Sequence, residues 1–412
     1  HLFLFLQKFE KKSLTNICLF DMLVSHQGGL INMMKIFKGY VLRIYPTEEQ
    51  KLIIKKNINC ARFVYNYTLA KIINIDKEKY LTNYFFDSAK ELTSLFQKYP
   101  KLKEVDSSSL KYSLLNLFNT YRKLAKGKVY PKFKNRDKGN RFKVGNFKSV
   151  SLNSDRIRVD FKNGFLILPQ LNKVRFRGYR HKNNLIGDIK NVVIKECAGR
   201  YYASILAEEP LTLSQLRPAR IVGLDLGVKD IIITSYNEKI ENSLKALSIK
   251  TRIKGLQKGL NRCEIGSKNR YKLKLKIQKA YLKLKNMRKC LIHSITNKIV
   301  NESDIIVIED LDVKSMYKTR SVARSLTDIP LALIKQVLEY KCKWQNKILL
   351  TVDRYYPSSQ LCSKCGYRNR KVKDLSIRSW ECPSCGTLHD RDYNASENIM
   401  FEGLKIYMKS LI

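Results

Sequence analysis

The chain has 412 residues, of which 79 are lysine or arginine and 36 are aspartate or glutamate, giving a formal net charge of +43. This excess of cations favours a polyanionic partner, because lysine and arginine displace the counterions condensed on nucleic acid. A hydrophobic share of 44% argues against a chain disordered by composition, and no run approaches the roughly 18 to 20 apolar residues of a membrane-spanning helix.

The length predicts about two or three domains. Residues 1–33 begin with His1 and precede Met33 and Met34, and we interpret them as upstream translation or a disordered N-terminal extension. Outside the motifs described below, the cysteines are scattered without paired spacing, a pattern typical of reduced thiols in a cytoplasmic protein. They are Cys18, Cys60, Cys197, Cys263, Cys290 and Cys342.

From residue 34 the pattern predicts a strand over 35–45 and then a helix beginning near Thr47. Thr47 and Gln50 have the capping-box spacing, in which each side chain accepts a hydrogen bond from the other residue's backbone N–H. Further helical segments run to about residue 125. Residues 126–215 then contain short basic strands. These are Tyr130–Arg136, Arg156–Asp160 and Lys173–Arg177.

In these basic strands, lysine and arginine alternate with phenylalanine and tyrosine. This composition suits contact with phosphates combined with stacking on bases. A charged face exposed to solvent would have the same pattern, so the interpretation stays open for any single residue.

The third part of the chain, from about residue 216, carries two acids at strand ends. Asp225 follows a buried strand and lies between Gly223 and Gly227. Such a turn also occurs in phosphate-binding folds, and an aspartate at a strand end can serve only to form the turn. Glu309 ends the apolar strand 304–311, after a long helix with one apolar stripe and a cationic opposite face.

Four cysteines form two C-x-x-C-G motifs near the C-terminus. Two such knuckles complete a closed tetrahedral shell of four sulfurs, typical of structural zinc, with iron as the alternative metal. The predicted ligands are Cys362, Cys365, Cys382 and Cys385.

A third acid, Asp392, begins a helix close behind these cysteines. Two strand-end carboxylates and one at a helix start suit two divalent ions, one activating water and the other stabilising the leaving oxygen of a phosphodiester. Mg²⁺ is favoured because it is a hard cation that prefers oxygen ligands.

Several motifs in the chain occur in one characteristic order. They are Tyr45-Pro-Thr-Glu-Glu-Gln50, Ala61-Arg-Phe-Val-Tyr-Asn66, Tyr130-Pro-Lys-Phe-Lys134, Gly223-Leu-Asp-Leu-Gly227, Ile308-Glu-Asp-Leu311, Tyr356-Pro-Ser-Ser-Gln-Leu-Cys-Ser-Lys-Cys-Gly366, the second knuckle and Asp390-Arg-Asp-Tyr-Asn-Ala395. From about residue 34 to 404 the chain thereby resembles the TnpB (OrfB) family of insertion-sequence proteins, the compact relatives of type V CRISPR effectors.

The resemblance implies an α/β multidomain protein. A wedge-like β-barrel of residues 34–45 and 126–215 is split by a helical recognition insertion, residues 46–125. A ribonuclease H-like (RuvC) nuclease domain follows at 216–358 and 389–412, and a zinc ribbon is inserted into it at 359–388.

By motif position, the resemblance implies that Asp225, Glu309 and Asp392 are the catalytic triad. Asp390 is the alternative for the third acid, and we expect it instead to cap the helix or to orient Arg391. The resemblance further implies nucleic-acid contacts at matching motif positions. These are Arg62, Lys132, Lys134 and Arg136.

The implied function is a transposon-associated RNA-guided DNA endonuclease with structural Zn²⁺ and two catalytic Mg²⁺ ions. Its partners would be a guide RNA and a double-stranded DNA target, without a membrane, in the prokaryotic cytoplasm and on the nucleoid when bound to DNA. Two alternatives remain, a transposase or transposition accessory protein and a nuclease-inactive RNA-guided repressor. The sequence does not decide between monomer and dimer.

Overall fold

A computed structural model describes most of the chain. The described residues are 35–72, 92–125, 130–135, 140–146, 156–177, 187–211, 220–227, 230–241, 247–312, 316, 331–374 and 376–410. Residues 1–33 and the candidate contact Arg136 lie outside these ranges. No helix within them has the length and apolarity needed to cross a bilayer.

A sheet of seven strands is built from the first half of the chain. Its strands are β1 (Lys35–Tyr45), β2 (Arg141–Gly145), β3 (Arg158–Asp160), β4 (Phe165–Leu168), β5 (Asn172–Arg177), β6 (Asp188–Cys197) and β7 (Arg200–Pro210). The order is β2-β6-β7-β1-β5-β4-β3, so the N-terminal strand lies in the interior of the sheet. Among the described strands, β2 and β3 stand at the two ends of this order.

Two long helices pack on one face of this sheet, α1 (Glu48–Ile72) and α2 (Ser107–Ala125). Side chains alternate between the faces of a strand, so β1 buries Leu42 and Ile44 and exposes Val41. The buried side chains join Ile54 of α1 and Leu110 of α2 in one core.

The capping box at the start of α1 is confirmed. The backbone N–H of Thr47 donates to Gln50 Oε1 at 3.0 Å, and the backbone N–H of Gln50 donates to Thr47 Oγ1 at 3.3 Å. The Gln50 amide also donates to the carbonyl of Leu171 at 2.8 Å, so the cap ties the helix to the sheet.

The strand predicted at Tyr130–Arg136 is wrong for the described residues 130–135, which form no regular element. Pro131 has no N–H to donate to a ladder, which disfavours a strand interior. The backbone of Lys134 pairs instead with the Asn66 side chain of α1, donating at 2.8 Å and accepting at 2.9 Å.

A second, mixed sheet has five strands: β8 (Ile221–Asp225), β9 (Asp230–Thr234), β10 (Lys239–Glu241), β11 (Ile305–Glu309) and β12 (Ile348–Val352). The order is β10-β9-β8-β11-β12. β8, β9 and β10 are joined antiparallel, whereas β11 runs parallel to both β8 and β12. The carboxyl ends of β8, β11 and β12 therefore meet at one edge of the sheet.

Helices α3 (Leu247–Asn261), α4 (Lys268–Glu302) and α5 (Leu331–Trp344) connect or flank these strands. The second half of α4 and the apolar face of α5 share one core with β8 and β11. A charged residue, Lys341, enters this region and is only 5% exposed. Its ammonium group donates to the carbonyl of His293 at 2.9 Å and to Thr296 Oγ1 at 2.5 Å.

The C-terminal helix α6 (Arg391–Ser410) crosses the other face of the second sheet. The approach is close because two glycines lie at the crossing. A Cβ on Gly403 of α6 would overlap the side chain of Val307 in β11, and one on Gly223 of β8 would lie 2.6 Å from the Met400 nitrogen of α6. Glycine at both positions therefore lets the helix rest directly on the strands.

The two cysteine motifs form a small module between β12 and α6. Each knuckle has its glycine in the left-handed region, Gly366 at φ +79° and Gly386 at φ +68°. The backbone N–H of each glycine donates to the backbone carbonyl of the first cysteine in its motif, at 2.8 Å. The strands β13 (Ser379–Glu381) and β14 (Leu388–Asp390) form a short hairpin on either side of the second knuckle, and α6 begins at the residue after β14.

Candidate active site and metal centre

Two of the predicted acids end neighbouring parallel strands. In the β8–β11 pairing Leu224 is opposite Ile308, so the next residues, Asp225 and Glu309, lie side by side at the carboxyl edge of the sheet. The strand interiors are apolar and buried, which leaves the terminal residue of each as the first polar group. The register thus brings together acids that are 84 residues apart in sequence.

The third acid, Asp392, is in the first turn of α6. Its carboxylate forms an ion pair with Arg378, with Nη1 to Oδ2 at 3.1 Å. Asp390 caps the helix, as expected, by accepting from the backbone N–H groups of Asp392 at 3.1 Å and Tyr393 at 3.0 Å. Asp390 is further engaged by Lys239 at 2.7 Å. Asp390 and Asp392 therefore have different roles: Asp390 caps the helix, and the Asp392 side chain does not.

Burial and charge raise the pKa of Asp225 to about 8. Loss of hydration is the largest cause, followed by the negative charges of Glu309 and Asp392. The positive charge of Arg391 and a backbone N–H from Leu226 oppose the shift. The three acids therefore lie close enough to influence one another electrostatically. A bound cation would offset the repulsion between their negative charges.

Burial also raises the pKa of Glu309, and a hydrogen bond from Ser358 partly offsets that rise. The Ser358 hydroxyl donates to Glu309 Oε1. The serine lies between β12 and the first knuckle, and it is 8% exposed.

The acids are less tightly grouped than the cysteines. Among the described residues, one set of three or more His, Cys, Asp or Glu side chains has all its donor atoms within 4.8 Å of one another. That set is Cys362, Cys365, Cys382 and Cys385.

The sulfur spacing fits zinc. Cys362 and Cys385 have their Sγ atoms 3.6 Å apart, and so do Cys365 and Cys382. In a tetrahedral site with Zn–S bonds of about 2.3 Å, the sulfurs lie about 3.8 Å apart. One thiol of each knuckle, Cys362 or Cys382, is buried, so the site closes against the module's own core.

A histidine outside the C-x-x-C-G motifs contacts the cysteine cluster. His389 Nε2 lies 3.0 Å from Cys362 Sγ. Its ring lies 4.8 Å from that of Trp380, its partner across the β13–β14 hairpin. An imidazole N–H donated to a metal-bound thiolate would orient that ligand.

Two of the predicted nucleic-acid contacts line one cavity. Arg62 of α1 and Lys134 border a cavity of about 340 Å³ between the helices and β2, and burial lowers the pKa of Lys134 to about 8. Lys132 is exposed two residues earlier. The sequence interpretation missed Arg141 and Lys143 on the wall of the same cavity, because strand β2 was not predicted.

A second cationic cleft of about 490 Å³ lies between the β6–β7 turn and helices α3 and α4. Its basic side chains are Arg200, Arg252, Lys276, Lys279 and Lys283. The cationic face predicted for the long helix thus forms one wall of a concave surface.

Over 376 residues the chain is 30% identical to a protein of Streptomyces pristinaespiralis, provisionally named an RNA-guided DNA endonuclease, and the match covers 90% of each chain. Over 204 residues it is 30% identical to TnpB-like protein L79 of Acanthamoeba polyphaga mimivirus, covering 45% of this chain and 38% of that protein. The chain belongs to the TnpB family.

Three family models match parts of this TnpB-family chain. "Helix-turn-helix domain" matches residues 33–79, "Probable transposase" matches 204–320, and "Cas12f1-like, TNB domain" matches 332–399. The last range contains all four cysteines and Asp392. A Cas12f1 solved by cryo-electron microscopy with sgRNA and target DNA aligns with a TM-score of 0.48 at 16% identity, covering 89% of this chain and 99% of that one.

In this TnpB-family chain, sequence reasoning missed the polar side chains that support the site. Ser358 belongs to the motif that begins at Tyr356, but no sequence spacing links it to Glu309, which is 49 residues away. His389 lies outside the C-x-x-C-G motifs, so no motif linked it to Cys362. Arg378 carried no motif signal, although it reaches Asp392 from the module that holds the cysteines.

Proposed function

We propose that this protein is a transposon-associated RNA-guided DNA endonuclease that hydrolyses phosphodiester bonds with Asp225, Glu309 and Asp392. The observation that carries the proposal is the convergence of these acids from β8, β11 and α6 in one electrostatic environment. Membership of the family supports it, since the Streptomyces relative matches over 90% of the chain. One matching family model is described as a probable transposase, but the relatives that match over 90% of the chain are named RNA-guided DNA endonucleases, which disfavours the transposase. Retention of all three acids argues against an inactive repressor.

The three carboxylates would hold Mg²⁺, to which their oxygens are suited. Bound Mg²⁺ supplies an activated water and stabilises charge on the leaving oxygen. Asp225 must lose its proton to serve as a ligand, and Glu309 is kept in place by its contact with Ser358. Arg378 forms an ion pair with Asp392, and a bound cation would compete with it for that carboxylate.

We assign the five-stranded mixed sheet with α3–α6 to a ribonuclease H-like (RuvC) domain, residues 216–358 and 389–412, with the zinc ribbon at 359–388. The seven-stranded sheet corresponds to the wedge, residues 34–45 and 126–215, and α1 and α2 to the recognition insertion, 46–125. Support for this division comes from the separate cores of the two sheets.

We assign Zn²⁺ to the four cysteines as a structural ion. The donor set and the sulfur spacing support zinc. Because α6 follows β14 directly, a folded ribbon would fix where that helix begins.

A guide RNA and a double-stranded DNA target are the proposed partners. The net charge of +43 and the two cationic cavities support contact with nucleic-acid backbones. In such a complex base pairing selects the target, and the protein holds the heteroduplex backbone. Arg62, Lys132 and Lys134 are the assigned contacts among the described residues.

The test is to co-express the full chain with its flanking genomic DNA, sequence the RNA that co-purifies, and assay cleavage of a matched plasmid with Mg²⁺. Asp225→Ala should abolish cleavage while RNA binding is retained. Glu241→Ala is the matched control, because it removes an exposed acid from the same sheet. Absence of a discrete RNA, or cleavage by Asp225→Ala at the wild-type rate, would refute the proposal.

A further inference from the structure

Ser358 links the zinc-binding module to the acid cluster. It lies in the segment between β12 and the first knuckle, and its hydroxyl donates to Glu309 Oε1. The neighbouring Ser359 is more exposed and forms no side-chain hydrogen bond within the described residues. One of two adjacent serines thus reaches the carboxylate.

Two asparagines of α6 hold the backbone of this segment. Asn398 Nδ2 donates to the carbonyls of Ser358 and Leu361, each at 2.7 Å. Asn394 Nδ2, one helical turn earlier, also donates to Leu361 O at 2.7 Å. Both asparagines are buried, with Asn394 fully enclosed. These amides satisfy the two carbonyls, so the segment is fixed on the helix that carries the third acid.

Glu309 needs such a restraint. A glutamate side chain loses up to about 2 kcal/mol of rotamer freedom when it is fixed. Glu309 and Asp225 end adjacent strands, so their carboxylates repel each other whenever both are ionised to hold a cation. The hydrogen bond from Ser358 to Oε1 limits the rotamers of Glu309 and holds its carboxylate in place against this repulsion. It leaves Oε2 available to a cation.

We propose that Ser358 is a positioning residue for divalent-cation binding: it fixes the Glu309 carboxylate, and Asn398 sets Ser358 against the helix that carries Asp392. This inference rests on the proposed function, because it takes Glu309 as a ligand of the catalytic cation. Two hydrogen bonds in series, from Asn398 of α6 to Ser358 and from Ser358 to Glu309, would then fix the spacing between the second and third acids.

The test uses the full-length protein with its guide RNA and without DNA, and it measures Mn²⁺ binding from the electron paramagnetic resonance signal of the free ion. Ser358→Ala should weaken Mn²⁺ binding about tenfold or more, the range expected when a partner of a metal ligand is removed. Ser359→Ala should bind as the wild type does. Ser358→Thr, which keeps the hydroxyl, should restore binding to within about threefold of the wild type.

A double-mutant cycle separates positioning from a general loss of structure. In a Glu309→Gln background, Ser358→Ala should change Mn²⁺ affinity less than about twofold, because the carboxylate it positions is gone. A tenfold loss in both backgrounds would overturn the inference, as would wild-type affinity in the Ser358→Ala single variant.

The outcome also distinguishes this inference from the proposed function. If the wild-type complex binds no Mn²⁺ and cuts no DNA, the proposed function fails. If it binds and cuts but Ser358→Ala is indistinguishable from it, only the positioning role of Ser358 fails.

Discussion

The buried Lys341 offers a quantitative test of the core beneath the five-stranded sheet. Burial lowers the pKa of this lysine from 10.5 to about 8, although its ammonium group donates to His293 O and Thr296 Oγ1. Between those two pH values the unfolded chain binds more protons at this position than the folded protein. The lysine therefore destabilises the fold at neutral pH, and stability rises as the pH passes 8.

The size of the effect follows from the two pKa values. Between pH 7 and pH 9.5 the wild type should gain about 2 kcal/mol of unfolding free energy from Lys341 alone. Lys341→Met keeps most of the volume and removes the charge. We expect it to be as stable as the wild type or more stable at pH 7, and to lose that advantage as the pH rises.

The assay is urea unfolding at several pH values between 7 and 9.5. Lys343→Met is the matched control, since Lys343 is exposed on the same helix and shares every other pH-dependent change, including the fall in net positive charge. If the difference in unfolding free energy between Lys341→Met and Lys343→Met does not change with pH, the lowered pKa of Lys341 is refuted. Burial, followed by the positive charges of Lys341 and Lys289, lowers the pKa of His293 to about 4, so the Lys341→Met variant should raise that pKa in an NMR titration.

Three further predictions concern the metal module and the crossing of α6. Cys382→Ser should reduce zinc content well below one ion per chain by elemental analysis, and should lower the melting temperature, because structural zinc contributes folding energy. His389→Phe keeps a ring beside Trp380 but removes the nitrogen at Cys362, so zinc affinity measured by chelator competition should fall about 10- to 100-fold. Gly403→Ala should destabilise the protein by about 1–3 kcal/mol in urea, because its methyl group would overlap Val307.

The chain supplies controls for each. Cys290→Ser changes an exposed cysteine outside the module and should leave zinc content unchanged; equal loss in both cysteine variants would contradict the assigned ligands. Gly255→Ala, in α3 with open space around the new methyl, should stabilise by up to about 1 kcal/mol. If Gly403→Ala also stabilised, the close crossing would be wrong. A His389→Phe protein with unchanged affinity would show that the ring only packs.

Features set by neighbouring residues could be predicted from the sequence. Thr47 and Gln50 indicated a capping box because both partners lie within one turn of helix, and the structure contains both hydrogen bonds. The apolar runs before Asp225 and Glu309 indicated strands that end at the acids. Their side-by-side placement needed the parallel register, which no local pattern specifies.

Features that depend on distant partners were missed. Asn394 and Asn398 are polar residues on a helix, which a sequence pattern assigns to solvent, yet they are buried against backbone carbonyls of another segment. Lys341 lies among apolar residues of α5, and its partners are on α4. The basic segment after Tyr130 had the composition of a strand, but its backbone pairs with Asn66.

The junction at Asp390 has a mechanical consequence. β14 ends at this residue and α6 begins at the next, with the Asp390 carboxylate bonded to the first helical N–H groups and Arg391 N bonded to Arg378 O. No flexible linker lies between the hairpin and the helix. A rotation of the cysteine module would therefore also rotate the helical turn that carries Asp392.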